Sequence, residues 1–133
     1  SWRLRPTRYF GNVWTPFANV QIQAADRHFL TFAMQIDTGA VVSLMRRSVA
    51  ELLQIPLETG RRVQLGAVGG GQTQAYVHQL RIRFVGDEGL ERVAPVAISE
   101  QEDVPNLLGR LGLFETLHMH FDPHTRMTTV ASD

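Results

Sequence analysis

The chain has 133 residues, 44% of them hydrophobic, which is the size and composition of one globular domain able to bury a working core. Thirteen basic residues balance thirteen acidic ones, so no broad attraction to nucleic acid or to an anionic membrane is implied. The absence of cysteine excludes disulfides, thiolate zinc sites and thiol catalysis, and no apolar run has the length of a membrane span or the form of a signal-peptide core.

The opening SWRLRPTRYF places Arg3, Arg5 and Arg8 beside Trp2 and Tyr9, a pattern shared by nucleic-acid-binding arms. With the total charge balanced it reads instead as a solvated terminus or a strand of a dimer interface, and neither nucleic acid nor membrane is expected as a partner. The chain starts at Ser1, which leaves a longer precursor open; the cytoplasm is the default compartment.

The segment NVQIQAADRHFLTFAMQID predicts a hairpin. Val20 and Ile22 alternate with glutamines, Asp26-Arg27 supply the turn, and Leu30, Phe32, Met34 and Ile36 repeat with period two, so that Asp37 falls where a buried strand ends. After the apolar run Val41 to Met45, Val49, Leu52 and Leu53 have helical spacing, Ser48 with Glu51 fits a capping box, and Pro56 stops this short helix. Arg61 to Leu65 reads as extended. GAVGGGQTQ then forms a hairpin tip, since clustered glycines admit positive φ, and leads into a strand through Val77, Leu80, Ile82 and Phe84 with an irregularity expected near His78.

GDEGLE reads as a polar turn, RVAPVAIS as a strand, and EQEDVP as an acidic, solvated loop before the apolar NLLG. RLGLFETL predicts a second helix. Leu117, Met119 and Phe121 alternate, DPHT turns, and RMTTVAS is strand-like. His118, His120 and His124 would make a conceivable metal set on this hairpin, but without cysteine or suitably placed carboxylates they read as surface and turn residues. Many short strands with one or two short helices, no repeats and no linker predict a single all-β, barrel-like domain over residues 1–133 with its core at about 16–130.

One triplet, Asp37-Thr38-Gly39, carries the chemistry. Alone it is modest, because average residue usage yields one by accident in on the order of a few per cent of chains this long. Its order is what counts: an apolar strand before it, Ala40 and VVSL after it, a glycine-rich hairpin at Ala67 to Gln72, and NLLGR at Asn106 to Arg110. In these elements the chain resembles the retropepsin-like aspartic proteases, single-domain relatives of the retroviral proteases, from about Pro16 to Val130. The glycine run lacks the Lys and Ser/Thr of a phosphate loop and opens no helix, so phosphate binding is disfavoured.

The resemblance implies a closed, barrel-like retropepsin fold with a flap hairpin and an aspartic endopeptidase activity without metal or cofactor. Asp37 is the expected catalytic residue, with Thr38 and Gly39 supporting the active-site loop. Ala40, Val42, Leu44, Val68, Gly69, Gly70, Gly71 and Leu108 are the expected substrate contacts, around a polypeptide held extended. One departure stands out: many retroviral members place an acid directly after the Ala, where this chain has Val41, which leaves Arg110 in need of another partner.

Elementary chemistry adds a second constraint. Hydrolysing an amide without a metal or covalent nucleophile requires one group to take a proton from water and another to give one to the substrate, and two close carboxylates sharing a proton do both. The chain supplies one such aspartate, so an active enzyme is expected to be a homodimer that shares the site across a two-fold axis. The alternatives are a catalytically silent module that dimerises or grips peptides, and a protease limited to its own processing.

Overall fold

A computed structural model describes residues 2–66 and 71–132; for residues 87 and 88 it describes the backbone alone. The first two strands, β1 (Arg3–Thr7) and β2 (Gly11–Thr15), form a hairpin outside the barrel, paired from Arg3↔Thr15 to Thr7↔Gly11. This hairpin occupies the stretch read as a terminus. It is tethered by few contacts: Trp2 donates its backbone N–H to the Arg126 carbonyl (3.1 Å) and its indole N–H to the Thr128 hydroxyl (2.9 Å), Arg126 stacks on Trp14 at 3.8 Å, and Arg3 and Arg5 each lie 4.9 Å from the Phe17 ring.

The barrel begins with β3 (Phe17–Gln23) and β4 (Phe29–Ile36), whose alternation puts Val20, Ile22, Met34 and Ile36 inside. Their turn has Arg27 at φ 74° and is held by the Asp26 carboxylate, which accepts the His28 N–H at 3.0 Å. Next come β5 (Ser43–Met45), α1 (Ser48–Leu52), a 3-10 turn at Leu57–Thr59, β6 (Arg61–Gly66), and the long strands β7 (Gln72–Phe84) and β8 (Asp87–Ser99). The short β9 (Leu107–Leu108) follows, then an irregular helical turn at Arg110–Phe114, β10 (Leu117–Asp122) and β11 (Met127–Ser132).

The hydrogen-bonded order is β3-β4-β9-β5-β8-β7, and β7 returns to β3 through Val20↔Phe84 and Ile22↔Ile82, so six strands close on themselves. This is the expected all-β, retropepsin-like barrel. Closure leaves β6 paired, among the described residues, with β7 alone, as one arm of a hairpin extending from the barrel. Met45, Val96, Ile98, Leu108 and Leu113 complete the fully buried centre. The β10–β11 ribbon lays Leu117, Met119, Phe121 and Val130 against it.

Four local expectations are corrected. The capping box does not form: Arg47 is the N-cap residue with no side-chain cap, and Ser48 gives its N–H and hydroxyl to Glu102. The register shift in β7 lies between Arg83 and Phe84 rather than near His78, next to the turn where β7 meets β8. The strand read at RVAPVAIS extends back through the polar turn to residue 87. The second helix is reduced to one turn, because Leu111 (φ −61°, ψ 126°) and Gly112 (φ 74°, ψ −7°) take the two central conformations of a type II turn. A side chain at Gly112 would also meet Ala94 Cβ at 2.7 Å.

The chain passes close to itself where Gly109 crosses behind the Val42-Ser43 peptide. A Cβ at Gly109 would lie 2.5 Å from the Val42 carbonyl carbon and 2.8 Å from the Ser43 nitrogen, and both obstructions are backbone. Gly109→Ala is therefore expected to destabilise the protein by about 2–3 kcal/mol through overpacking, read as a lower urea midpoint at unchanged m-value. A midpoint equal to that of the parent would show that the crossing can open at no cost.

Candidate active site

Asp37 ends β4 at the barrel wall. Its backbone N–H donates to the Leu108 carbonyl (3.0 Å), its carbonyl accepts the Ala40 N–H (3.1 Å), and its carboxylate Oδ1 accepts the Gly39 N–H (3.0 Å). These three bonds hold a half-buried carboxylate in one orientation. The Gly39 amide is thus the group that bonds the Asp37 carboxylate within its own loop.

The loop is held from behind by the residues that follow β9. Gly109 donates its N–H to the Ser43 hydroxyl (2.9 Å), Arg110 to the Ala40 carbonyl (3.0 Å) and Leu111 to the Val41 carbonyl (2.9 Å). Ser43 is wholly buried and otherwise an odd residue for a barrel interior, so its hydroxyl is explained by this bond. β9 itself runs parallel to β4, with Gln35↔Leu107 and Ile36↔Leu108, and antiparallel to β5 at Leu44↔Leu107. NLLGR and the Asp37 loop, about seventy residues apart in sequence, are one hydrogen-bonded unit.

In front of Asp37 lies a cleft of about 650 Å³. Its floor is Asp37, Gly39, Ala40, Val41, Val42 and Leu44; Leu65, Gly66 and Thr73 of the β6–β7 hairpin stem form one wall, and Val104, Pro105 and Leu107 form another. The walls are mostly apolar, and among the described residues the carboxylate is the one charged lining group. Three expected substrate contacts, Ala40, Val42 and Leu44, line this cleft, together with Gly39 of the loop.

Leu108 does not: it is fully buried in the core, because adjacent residues of a strand face opposite sides, and Leu107 faces the cleft in its place. Gly71 is exposed ahead of β7 and is not among the lining residues, and Val68, Gly69 and Gly70 lie outside the described residues. Leu65, Thr73, Val104 and Pro105 were missed. For Val104-Pro105 the signal was present, an apolar pair directly before NLLG, although its acidic flank read as a solvated loop.

Thr38 faces away from this cleft into an adjoining groove of about 600 Å³, lined also by Val41, Arg110, Leu111, Phe114, Glu115, Leu117, Met119 and Phe121. Val41, more than half exposed at 56%, borders both spaces. Among the described residues the Arg110 guanidinium has no ion pair and the Thr38 hydroxyl no hydrogen-bond partner. His118 and His120 are exposed on β10 and His124 in the following turn; among the described residues no group of three His, Asp or Glu is placed to hold a metal.

A closed barrel carrying an Asp-Thr-Gly loop at the floor of an apolar cleft defines the retropepsin class of aspartic protease domain. The family model for aspartyl proteases matches residues 20–110, and the chain belongs to that family, in its retropepsin-like branch. No curated protein matches the chain. Family membership points to peptide hydrolysis as the class of activity. Among the described residues no helix is long and apolar enough to cross a membrane.

One titratable group near the cleft is displaced from its ordinary range. Glu102 is held below the usual glutamate value of 4.5, first by the Ser48 hydroxyl bonded to its carboxylate and then by the Ser48 N–H. A carboxyl with a lowered folded-state value contributes stability above the unfolded value and loses it as pH falls through the folded one. Glu102→Gln is therefore expected to be less stable than the parent at neutral pH, with the difference shrinking as the pH drops below about 4.5. Denaturant titrations across pH 3 to 7 (a range on the order of the carboxylate titration) check this; a gap that widens in acid would reverse the assignment.

Proposed function

We propose that this protein is a homodimeric aspartic endopeptidase whose site combines the Asp37 carboxylates of two protomers. The observation that carries the reading is an oriented carboxylate at the floor of an apolar cleft of about 650 Å³. One carboxylate of the pair removes a proton from water as its oxygen adds to the scissile carbonyl carbon, and the other, protonated, gives its proton to the carbonyl oxygen. The tetrahedral adduct then collapses. Its C–N bond breaks as the nitrogen takes a proton from the dyad and a hydroxyl of the adduct returns one to it while re-forming the carbonyl, so the pair ends with the single shared proton it began with.

The groove beside Thr38 supports the two-fold arrangement. It adjoins the Asp37 loop through Val41 and presents Leu111, Phe114, Met119 and Phe121, an apolar surface of the kind that a second copy would cover. Hydrophobic substrate side chains match the walls formed by Val42, Leu44, Leu65, Val104, Pro105 and Leu107.

Asp37→Asn should lower turnover on a denatured protein or peptide library by on the order of 10³-fold or more, with an unchanged circular dichroism spectrum. Retained turnover would remove the central claim, and peptide binding without cleavage by the parent would favour the silent-module alternative. Leu111→Arg, placed in the groove, should convert a sedimenting dimer to monomer and abolish activity together. A fully active monomer would refute the shared site.

A further inference from the structure

We infer that the acidic segment 100–106 is a brace that sets the width of the peptide cleft, with Glu100 and Glu102 as its positioning residues; the inference rests on the aspartic-protease reading of that cleft. Both carboxylates belong to exposed residues, yet Glu100 is committed to β7, whose Thr73 lines the cleft, and Glu102, two residues before the lining Val104, to the start of α1. Glu100 Oε1 accepts the Tyr76 hydroxyl (3.2 Å) and the Gln74 side-chain amide (3.1 Å), and its backbone N–H donates to the Gln74 carbonyl (3.0 Å). Gln74 in turn accepts Arg62 Nη2 at 2.9 Å, which ties β6 to β7. One residue before Gln74 is Thr73, paired with Leu65, and these two form the hairpin wall.

The opposite wall hangs from the same segment. Glu102 accepts the Ser48 hydroxyl (2.6 Å) and N–H (2.8 Å) at the start of α1, and Gln101 accepts the Arg47 N–H (3.1 Å) and donates to the Ser99 hydroxyl (2.9 Å). At the far end Asn106 accepts the Arg46 N–H on its side chain (3.0 Å) and the Gln35 N–H on its carbonyl (2.9 Å). Val104 and Pro105 span these two anchorages. The span that delivers them is fixed at Glu102, while Glu100, two residues earlier, fixes the hairpin stem across from them. The separation of the walls, and with it the size of apolar side chain that fits, follows from these two carboxylates.

The test uses the full chain and peptides identical except for Ala, Leu or Phe beside the scissile bond. Glu100→Ala and Glu102→Ala should each raise KM for the preferred peptide roughly tenfold with kcat nearly unchanged, and should narrow the preference between large and small side chains. Glu102→Gln, which keeps an acceptor oxygen for Ser48, should restore most of the preference. Glu91→Ala removes an equal charge that is paired with Arg81 and Arg83 away from the cleft, and should change neither parameter. Unchanged KM and preference in both alanine variants would overturn the brace, as would a fall in kcat that tracks lost thermal stability. If the parent cleaves no peptide, the protease reading fails instead, and binding of the same labelled peptides by fluorescence anisotropy decides the brace by the same comparison.

Discussion

The cleft depends on how closely the chain passes itself at Gly109. Only a residue without a side chain can bring its backbone against the Val42-Ser43 peptide, and only at that distance can three successive amides, from Gly109, Arg110 and Leu111, reach the Ser43 hydroxyl and the Ala40 and Val41 carbonyls. The Asp37 loop would otherwise expose unsatisfied backbone groups at the barrel wall. With the crossing in place, the loop has its polar groups answered from behind and its carboxylate turned outward by the Gly39 amide. The buried hydroxyl of Ser43 belongs to the same unit: it is tolerated in an apolar barrel because its partner is fixed.

From that unit the two spaces of the surface follow. The floor of the cleft and the edge of the neighbouring groove are successive residues of one loop, with Asp37 facing the first and Thr38 the second. Next to the Asp37 carboxylate the chain thus presents an apolar surface, and the proposed shared site would be completed there by a second copy. Val41, where an acid would pair with Arg110 in many retroviral relatives, leaves that guanidinium without an ion pair among the described residues and makes the border between cleft and groove apolar. The proposed enzyme would accordingly hold its substrate more by apolar walls than by a carboxylate gripping the peptide backbone.

Much of the barrel was legible because it rests on short-range patterns. Period-two alternation placed β3 and β4, and the triplet Asp-Thr-Gly and the segment NLLGR are the two stretches that the barrel bonds together. The failures have a common cause. The capping box at Ser48 and Glu51 is locally sound, but a carboxylate 54 residues away takes both Ser48 donors. RLGLFETL has helical spacing, but Gly112 packs against Ala94 at a positive φ that ends the helix. EQEDVP looks like solvated charge because its partners Ser48, Gln74 and Tyr76 come from other strands and a helix. In each case a long-range contact outweighed a local preference worth about 1 kcal/mol or less.

By itself, then, the sequence determined the class of fold and its one Asp-Thr-Gly triplet, since these follow from residue identity and periodicity, and the arithmetic of proton transfer is what prompts the proposal of a second carboxylate. Which of two neighbouring leucines faces the cleft, which acids brace its walls and which apolar face lies beside Thr38 were decided only when the barrel closed. Those outcomes depend on strand register and on the packing of segments distant in the chain, and a one-residue change in either moves a side chain from the cleft to the core.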